Sequence, residues 1–279
     1  MTVVACLKWV DARPTVDPLT GDVQTDPRSS GASDADWAAL EWALRIGDEW
    51  GSDVIALTAG GGLSEPLLRE ALAAGATTAC RVDTPDGAPS DQVAAALASA
   101  VTTTAPTAEV VVCGNWSSDR GSGSVPAFLA ARLGAAQALG LVTLTITAGA
   151  GRELRAQRRL DGGRREVLSI PTPAVISVEG GSARLRRASL PAVVRAETAT
   201  IDVIPAPSTT GSVAPVRIGP FRPRARVSPA PSSTLSARER ILALTGALVD
   251  RQPPQTLALE PPAAAAKIID QLRDWGYLT

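Results

Sequence analysis

Four short apolar runs, at residues 3–10, 54–58, 78–82 and 110–113, alternate with four segments of helical character, and this alternation limits the folds open to the chain. Near-continuous runs of Val, Ile, Leu and Ala read as strands that need cover on both faces, and helices that return the chain to the same starting edge provide that cover. The expected fold class is therefore α/β, a doubly wound, mostly parallel sheet. In such sheets ligands sit beyond the carboxyl ends of the strands, near the point where strand order reverses. The loops after Val10, Thr58 and Cys113 should converge there.

Punctuation along the sequence sets the elements. Residues 11–33 are rich in Pro, Asp and Gly and read as a long loop with room for a small hairpin. Ser33 or Asp34 can cap a helix in which Trp37, Leu40 and Leu44 share a face and Glu41 and Arg45 form an i,i+4 pair; Gly51 ends it. Ser64 and Pro66 announce a second helix that stops at Gly75, and residues 90–103 form a third, built from small side chains. From residue 141 the rhythm changes to strands at 141–147, 154–159, 165–170 and 174–178, with glycines at the turns, so an antiparallel appendage is expected on the sheet. Residues 205–233 are dense in Pro, Ser and Thr with arginines at 217, 222, 224 and 226, which predicts an extended arm. The last segment aligns Ile268, Ile269, Leu272 and Trp275 on one helical face that requires a docking surface. Three regions result: an α/β domain at 1–204, a Pro-rich arm at 205–235 and a helical segment at 236–279.

The 279 residues include 27 basic and 28 acidic side chains, a balance with no bulk attraction for nucleic acid or an anionic membrane. There is no histidine, which removes the commonest general base and the commonest metal ligand and turns the reading away from hydrolases and metalloenzymes. Cys6, Cys80 and Cys113 are widely spaced within apolar runs, so neither a disulfide framework nor a zinc motif is present, and a reducing cytoplasm is the expected location. Lys8 interrupts the first apolar run, so no secretion signal is read there. Residues 125–146 read as a helix followed by a strand and not as a membrane span.

Chemistry concentrates at residues 110–133, VVVCGNWSSDRGSGSVPAFLAARL, where a buried strand breaks into a Gly/Ser loop and restarts as an apolar helix. That order brings Gly121, Ser122, Gly123, Ser124 and Val125 to a helix start, where unpaired amides can face an anion. The segment is a candidate phosphate cradle; an ordinary strand-to-helix connection is the other reading, because the G-x-x-x-x-G-K-[ST] pattern is missing.

At these residues the chain resembles the beta subunit of electron transfer flavoproteins over almost its whole length. VACLKWVD at 4–11 is similar to the family's first strand, SDADWAALEWAL at 33–44 to its first helix, and LLREALAAGAT at 67–77 to its Leu-Arg-x-Ala-Leu-Ala-Met-Gly-Ala-Asp segment. CGNWSSDRGSGSVPAFLA at 113–130 is similar to the family's nucleotide loop, RRLDGGRREVLSIPTPAVISV to its hairpin region, and ASLPAVVRA at 188–196 to its partner-recognition loop. The resemblance implies a three-layer sandwich of the adenine nucleotide alpha-hydrolase-like kind and a non-catalytic subunit. It implies pairing with an alpha subunit that holds most of an FAD, and a structural AMP bound by this chain. Electrons would pass from a donor dehydrogenase to a downstream acceptor, which could be membrane- or quinone-linked. The implied nucleotide positions are Cys6, Ser33, Asp36, Thr58, Asp119, Ser122, Gly123, Ser124 and Val125, and the implied docking residue is Leu190.

The sequence departs from the family pattern at Ser33, Arg120, Gly121, Ser124 and Pro126, and Arg120 adds positive charge that leans toward a phosphate. The family's lysine-rich run after the recognition loop is missing, with Arg184, Arg186 and Arg187 lying before Leu190 instead, and the divergence is similar to beta subunits associated with mycofactocin systems. Each singled-out residue also has a structural reading. Trp37, Trp42 and Trp50 border a flavin or pack in the core, and Trp116 touches a nucleotide or sits in the loop. Asp119 contacts a ligand or orders its own turn, and Leu190 is a docking anchor or a turn residue. Two alternatives stand beside the carrier: a standalone adenine-nucleotide sensor, and a nucleotide-activating enzyme that would have only Lys8 and Lys267 to work with.

Overall fold

The computed structural model describes residues 1–148, 152–207, 231–245 and 256–278. The chain divides into two units, Met1–Phe221 and Arg222–Thr279.

The first unit is built on one sheet whose strands are β1 (Thr2–Leu7), β2 (Asp53–Ala59), β3 (Thr78–Asp83), β4 (Ala108–Gly114), β5 (Ala136–Thr147), β6 (Glu153–Arg159), β7 (Arg165–Ile170), β8 (Ala174–Val178) and β9 (Asp202–Pro205). Their spatial order is β7-β6-β5-β8-β4-β1-β2-β3-β9. All neighbours from β5 to β9 run parallel, and only the β5-β6 and β6-β7 pairings are antiparallel. The α/β class with a mostly parallel, doubly wound sheet and an antiparallel hairpin is thus the observed one.

Alternation along β1 explains the layering. Val3, Ala5 and Leu7 point to a cluster made with α1 (Asp34–Trp50) and α2 (Glu65–Ala74). Val4 and Cys6 point to the opposite cluster, made with α3 (Ser90–Thr104) and α4 (Val125–Leu133). Successive strand side chains face opposite ways, so a strand apolar throughout is consistent only with helices on both sides. Three layers result. The expected boundaries hold to within a few residues, including the Gly51 cap, which ends α1 in the left-handed conformation.

Three features differ from the sequence reading. The expected antiparallel set loses its fourth member: β8 lies between β4 and β5 and pairs parallel with both. Its five residues are all buried, which a solvent-facing appendage strand would not permit. Where the β5-β8 register shifts, the Ser177 hydroxyl accepts the Gly140 amide at 3.0 Å and satisfies the interrupted ladder. The segment expected as a recognition loop is a helix, α5 (Leu190–Glu197), with the Ser189 side chain accepting from the Ala192 amide and a proline in its first turn. β9 adds a further parallel strand beside β3 at the edge.

The 11–33 loop does contain a hairpin, Thr15–Val16 against Val23–Gln24. Asp11 organises it by accepting from the Ser29 hydroxyl and the Arg13 and Asp26 amides, and those bonds hold its carboxyl below the usual range. In the second unit the described helices are α6 (Ala237–Thr245) and α7 (Pro261–Asp274). Ile268, Ile269 and Trp275 are exposed, whereas Leu272 is half-buried. Most of the proposed Pro-rich arm, with its four arginines, lies outside the described residues.

Candidate functional site

The sheet reverses direction of growth at β1, which has β4 on one side and β2 on the other. Cys6 is in register with Leu57 of β2 and Cys113 of β4 at this switch point. Both thiols are buried, and the Cys113 thiol is held well above its ordinary range by its hydrogen bond to Cys6, by burial and by the charge of Asp36. Both pack within the core cluster on the α3–α4 side of the sheet.

Ser33 and Asp36 form a capping box at the start of α1. The Ser33 hydroxyl donates to Asp36 Oδ2 at 2.5 Å, its oxygen accepts the Asp36 amide at 3.2 Å, and the Ser33 amide donates to Asp36 Oδ2. The Lys8 amide adds a bond to Asp36 Oδ1 at 3.2 Å. Asp36 is nevertheless almost fully buried, and burial outweighs these donors, raising its pKa to about 6.

Asp119, in the loop between β4 and α4, meets the Lys8 ammonium at 2.7 and 2.6 Å, and Lys8 also donates to the Ser117 hydroxyl at 3.2 Å. Partial burial pushes the Asp119 carboxyl up, but the Lys8 ammonium and the Ser117 hydroxyl prevail and leave it below the usual range. The loops after β1 and β4 therefore meet, as the switch-point argument requires. The Gly-rich loop after β2 is tied to β3 instead: the Gly60 amide donates to Val82 O at 2.9 Å, and the Arg81 guanidinium donates to Gly60 O at 3.0 Å.

Ser122, Gly123, Ser124 and Val125 lead into α4, which has no side-chain cap. Among the described residues the amides of these four make no hydrogen bond, while the Ser122 and Ser124 hydroxyls pair with each other at 3.0 Å. Gly123 has a φ of 57°, and a Cβ there would stand 2.5 Å from the Asn115 carbonyl oxygen, so glycine is required for the loop to close on itself. Arg120 does not face the open amides. Its guanidinium donates to the Gly87 and Ala88 carbonyls and ties this loop to the one after β3.

Two buried polar atoms here have no partner: Thr58 Oγ1 near the end of β2, in a residue with no exposed surface, and Asn115 Oδ1 directly after β4. Buried polar groups are ordinarily satisfied, so each needs an explanation. Reading the sequence alone did not single out Lys8 or Asn115 for this site. Lys8 carries a signal, as one of only two lysines and the residue directly after the first strand.

The tryptophans resolve toward packing. Trp42 and Trp50 are buried and donate to Ser182 Oγ and Thr147 O, Trp37 packs against the same cluster, and Trp116 is exposed. Leu190 is 76% exposed at the start of α5. The far end of that helix is held by Arg69 of α2, whose Nη1 donates to the carbonyls of Ala196, Glu197 and Ala199 at 2.8 to 3.0 Å. Among the described residues no cluster of three or more Cys, Asp or Glu could hold a metal ion, and no helix is long and apolar enough to cross a membrane.

This geometry can be set beside known proteins. A family profile described as electron transfer flavoprotein domain matches residues 24–209. The chain is 31% identical over 203 residues to Protein FixA of Rhizobium meliloti (strain 1021), covering 70% of this chain and 69% of that protein. It is 31% identical over 208 residues to Protein FixA of Azorhizobium caulinodans, covering 72% and 74%, and 29% identical over 208 residues to Protein FixA of Sinorhizobium fredii, covering 72% and 73%. With a parallel sheet, a Gly/Ser loop at its switch point and a profile match over more than half its length, the chain belongs to the electron transfer flavoprotein family, on the beta-subunit side to which its motifs point.

Proposed function

We propose that this chain is the beta subunit of a heterodimeric electron transfer flavoprotein, a non-catalytic carrier that binds AMP structurally and helps an alpha subunit hold FAD. The carrying observation is the unpartnered Asn115 Oδ1, buried where the open-amide loop leaves β4. A bound adenine nucleotide accounts for it. The Ser122–Val125 amides suit a phosphate, and Asn115, Thr58 and the backbone around Cys6 suit the polar edges of the rest of the molecule. Ser33 and Asp36 shape the wall through the capping box, and Asp119 orders the loop through Lys8. The AMP would supply no redox chemistry; it would add binding free energy that favours the folded, assembled state. The FAD, when bound, accepts and passes on electrons, and this chain's part is to bound the site and exclude water from it.

Leu190, exposed on a helix clamped at its far end, suits the docking of a donor dehydrogenase. The acceptor, membrane- or quinone-linked, and a mycofactocin setting belong to the same reading, as do a cytoplasmic location and a division into 1–204, 205–235 and 236–279. Coexpression with a cognate alpha subunit should give a one-to-one yellow complex from which FAD and AMP are extracted in equal amounts. A chain that never pairs and never supports flavin binding overturns the carrier reading, and tight AMP binding by that lone chain would favour a sensor.

A further inference from the structure

We infer that Lys8 is the positioning residue of the nucleotide loop and acts through Asp119, not by touching the nucleotide. The inference rests on the nucleotide reading of residues 115–125. An ammonium group has three donors, and the acceptors around Lys8 Nζ number three: Asp119 Oδ1 at 2.7 Å, Asp119 Oδ2 at 2.6 Å and Ser117 Oγ at 3.2 Å. The ammonium charge is thus directed at both oxygens of the Asp119 carboxylate, with which it forms a locally neutral pair.

The contact does two things for an incoming anion, and the second carries most of the effect. It fastens the loop to the end of β1, across 111 positions of sequence. It also neutralises a carboxylate in the same short loop as the open amides, where an uncompensated negative charge would repel a phosphate. Arg120 cannot substitute, because its guanidinium is engaged by the Gly87 and Ala88 carbonyls. The backbone of Lys8 reinforces its place, since its amide is bonded to Asp36 of the capping box. One residue thus joins the loop and the start of α1 to the central strand.

The mechanism dictates an unusual pattern of variants. AMP is titrated calorimetrically into the full-length chain paired with its alpha subunit, after bound nucleotide has been removed. Lys8→Met should weaken AMP binding by about tenfold or more, because it leaves Asp119 bare beside the phosphate. Adding Asp119→Asn to Lys8→Met should restore affinity to within about threefold of the unaltered protein, and Lys8→Arg should stay within the same range. The ion pair is half-exposed, at 41% and 38% for the two side chains, so melting should move by only about 2 °C. If Lys8→Met fails to fold, Lys8→Arg and the double variant carry the test. Lys8→Met binding AMP as the unaltered protein does overturns the inference. A double variant as weak as Lys8→Met overturns it too, because Lys8 would then act other than by neutralising Asp119. An unaltered complex that does not bind AMP overturns the nucleotide reading itself, and this inference with it.

Discussion

Two segments leave the sheet from adjacent strands and end in opposite conditions. After β4 the chain enters the loop that leads to α4, and after β8 it runs through Glu179–Ser189 into α5; the Asn115 amide donating to Val178 O at 3.0 Å joins them at the root. The first is fastened at a few points, Lys8 to Asp119 and Arg120 to two carbonyls, and keeps four amides and the Asn115 side-chain oxygen unpartnered. The second is fastened at more points, to α1 and α2. Gly180 passes so close to α1 that a Cβ would stand 2.8 Å from Asp34 Cβ, and the Trp42 indole reaches Ser182 Oγ. The Arg186 guanidinium spans Glu41 and Asp48, and Arg69 holds the end of α5. A segment that keeps a buried polar atom open suits receiving a ligand; one anchored to two helices while Leu190 and Val194 remain exposed suits presenting a surface.

Breaking each side of this contrast has an expected size. The largest effect falls at Asp36, beside the receiving segment. Because burial raises its folded pKa from 3.8 to about 6, the folded state holds this proton more tightly than the unfolded chain does. Its contribution is therefore greatest below pH 4 and falls as pH rises to 6, by on the order of 3 kcal/mol. Denaturant unfolding of Asp36→Asn should show a more stable protein than the parent at pH 7 and no difference near pH 4. A parent advantage at pH 7 would mean the carboxylate is well compensated.

Next is Glu41, only 6% exposed and held below the usual carboxylate range because Arg186 and Arg45 outweigh its burial. Glu41→Ala leaves Arg186 half-buried with Asp48 alone, and should lower stability by about 2 kcal/mol and speed amide exchange at Gly180–Glu197. Unchanged exchange there would show the clasp to be dispensable.

Gly123→Val is expected to perturb the loop by about 1 to 2 kcal/mol through its positive φ and the Asn115 carbonyl, and to release bound nucleotide. Nucleotide content of the purified complex reads this directly. The smallest effect on stability, within about 0.5 kcal/mol, is expected for Leu190→Ala. Reduction of the complex by its cognate dehydrogenase should nonetheless slow while flavin content holds; an unchanged rate removes Leu190 from the docking surface.

The parallel core was readable because its signals are local. Ser33 and Asp36 stand three apart at a helix start, Gly51 and Gly75 stop helices, and Val110–Cys113 is apolar throughout. The strand character of β8 is legible but its neighbours are not, since pairing is set by long-range burial that turn spacing does not encode. Ser189 and Pro191 are a helix-start signature, but a helix of eight residues depends on outside support that the sequence does not display, here from Arg69. At the candidate site the glycines and serines were legible as an opening, but the Lys8–Asp119 pair was not, since no pattern links charges so far apart in sequence.

The insertion of β8 also has a consequence for the order of assembly. When the ribosome has released residues up to α4, β1 to β4 can pair, but β4 is then an open edge, with the Gly/Ser loop at its end. The edge is closed only after the hairpin has been made and Ala174–Val178 slides in beside it. Among neighbouring strands, β8 and β4 are separated by the whole of α4 and the hairpin, a long closure for a central position. The last central strand to arrive is thus the one that supports the root of the loop, so the site is completed only after residue 178 has been synthesised.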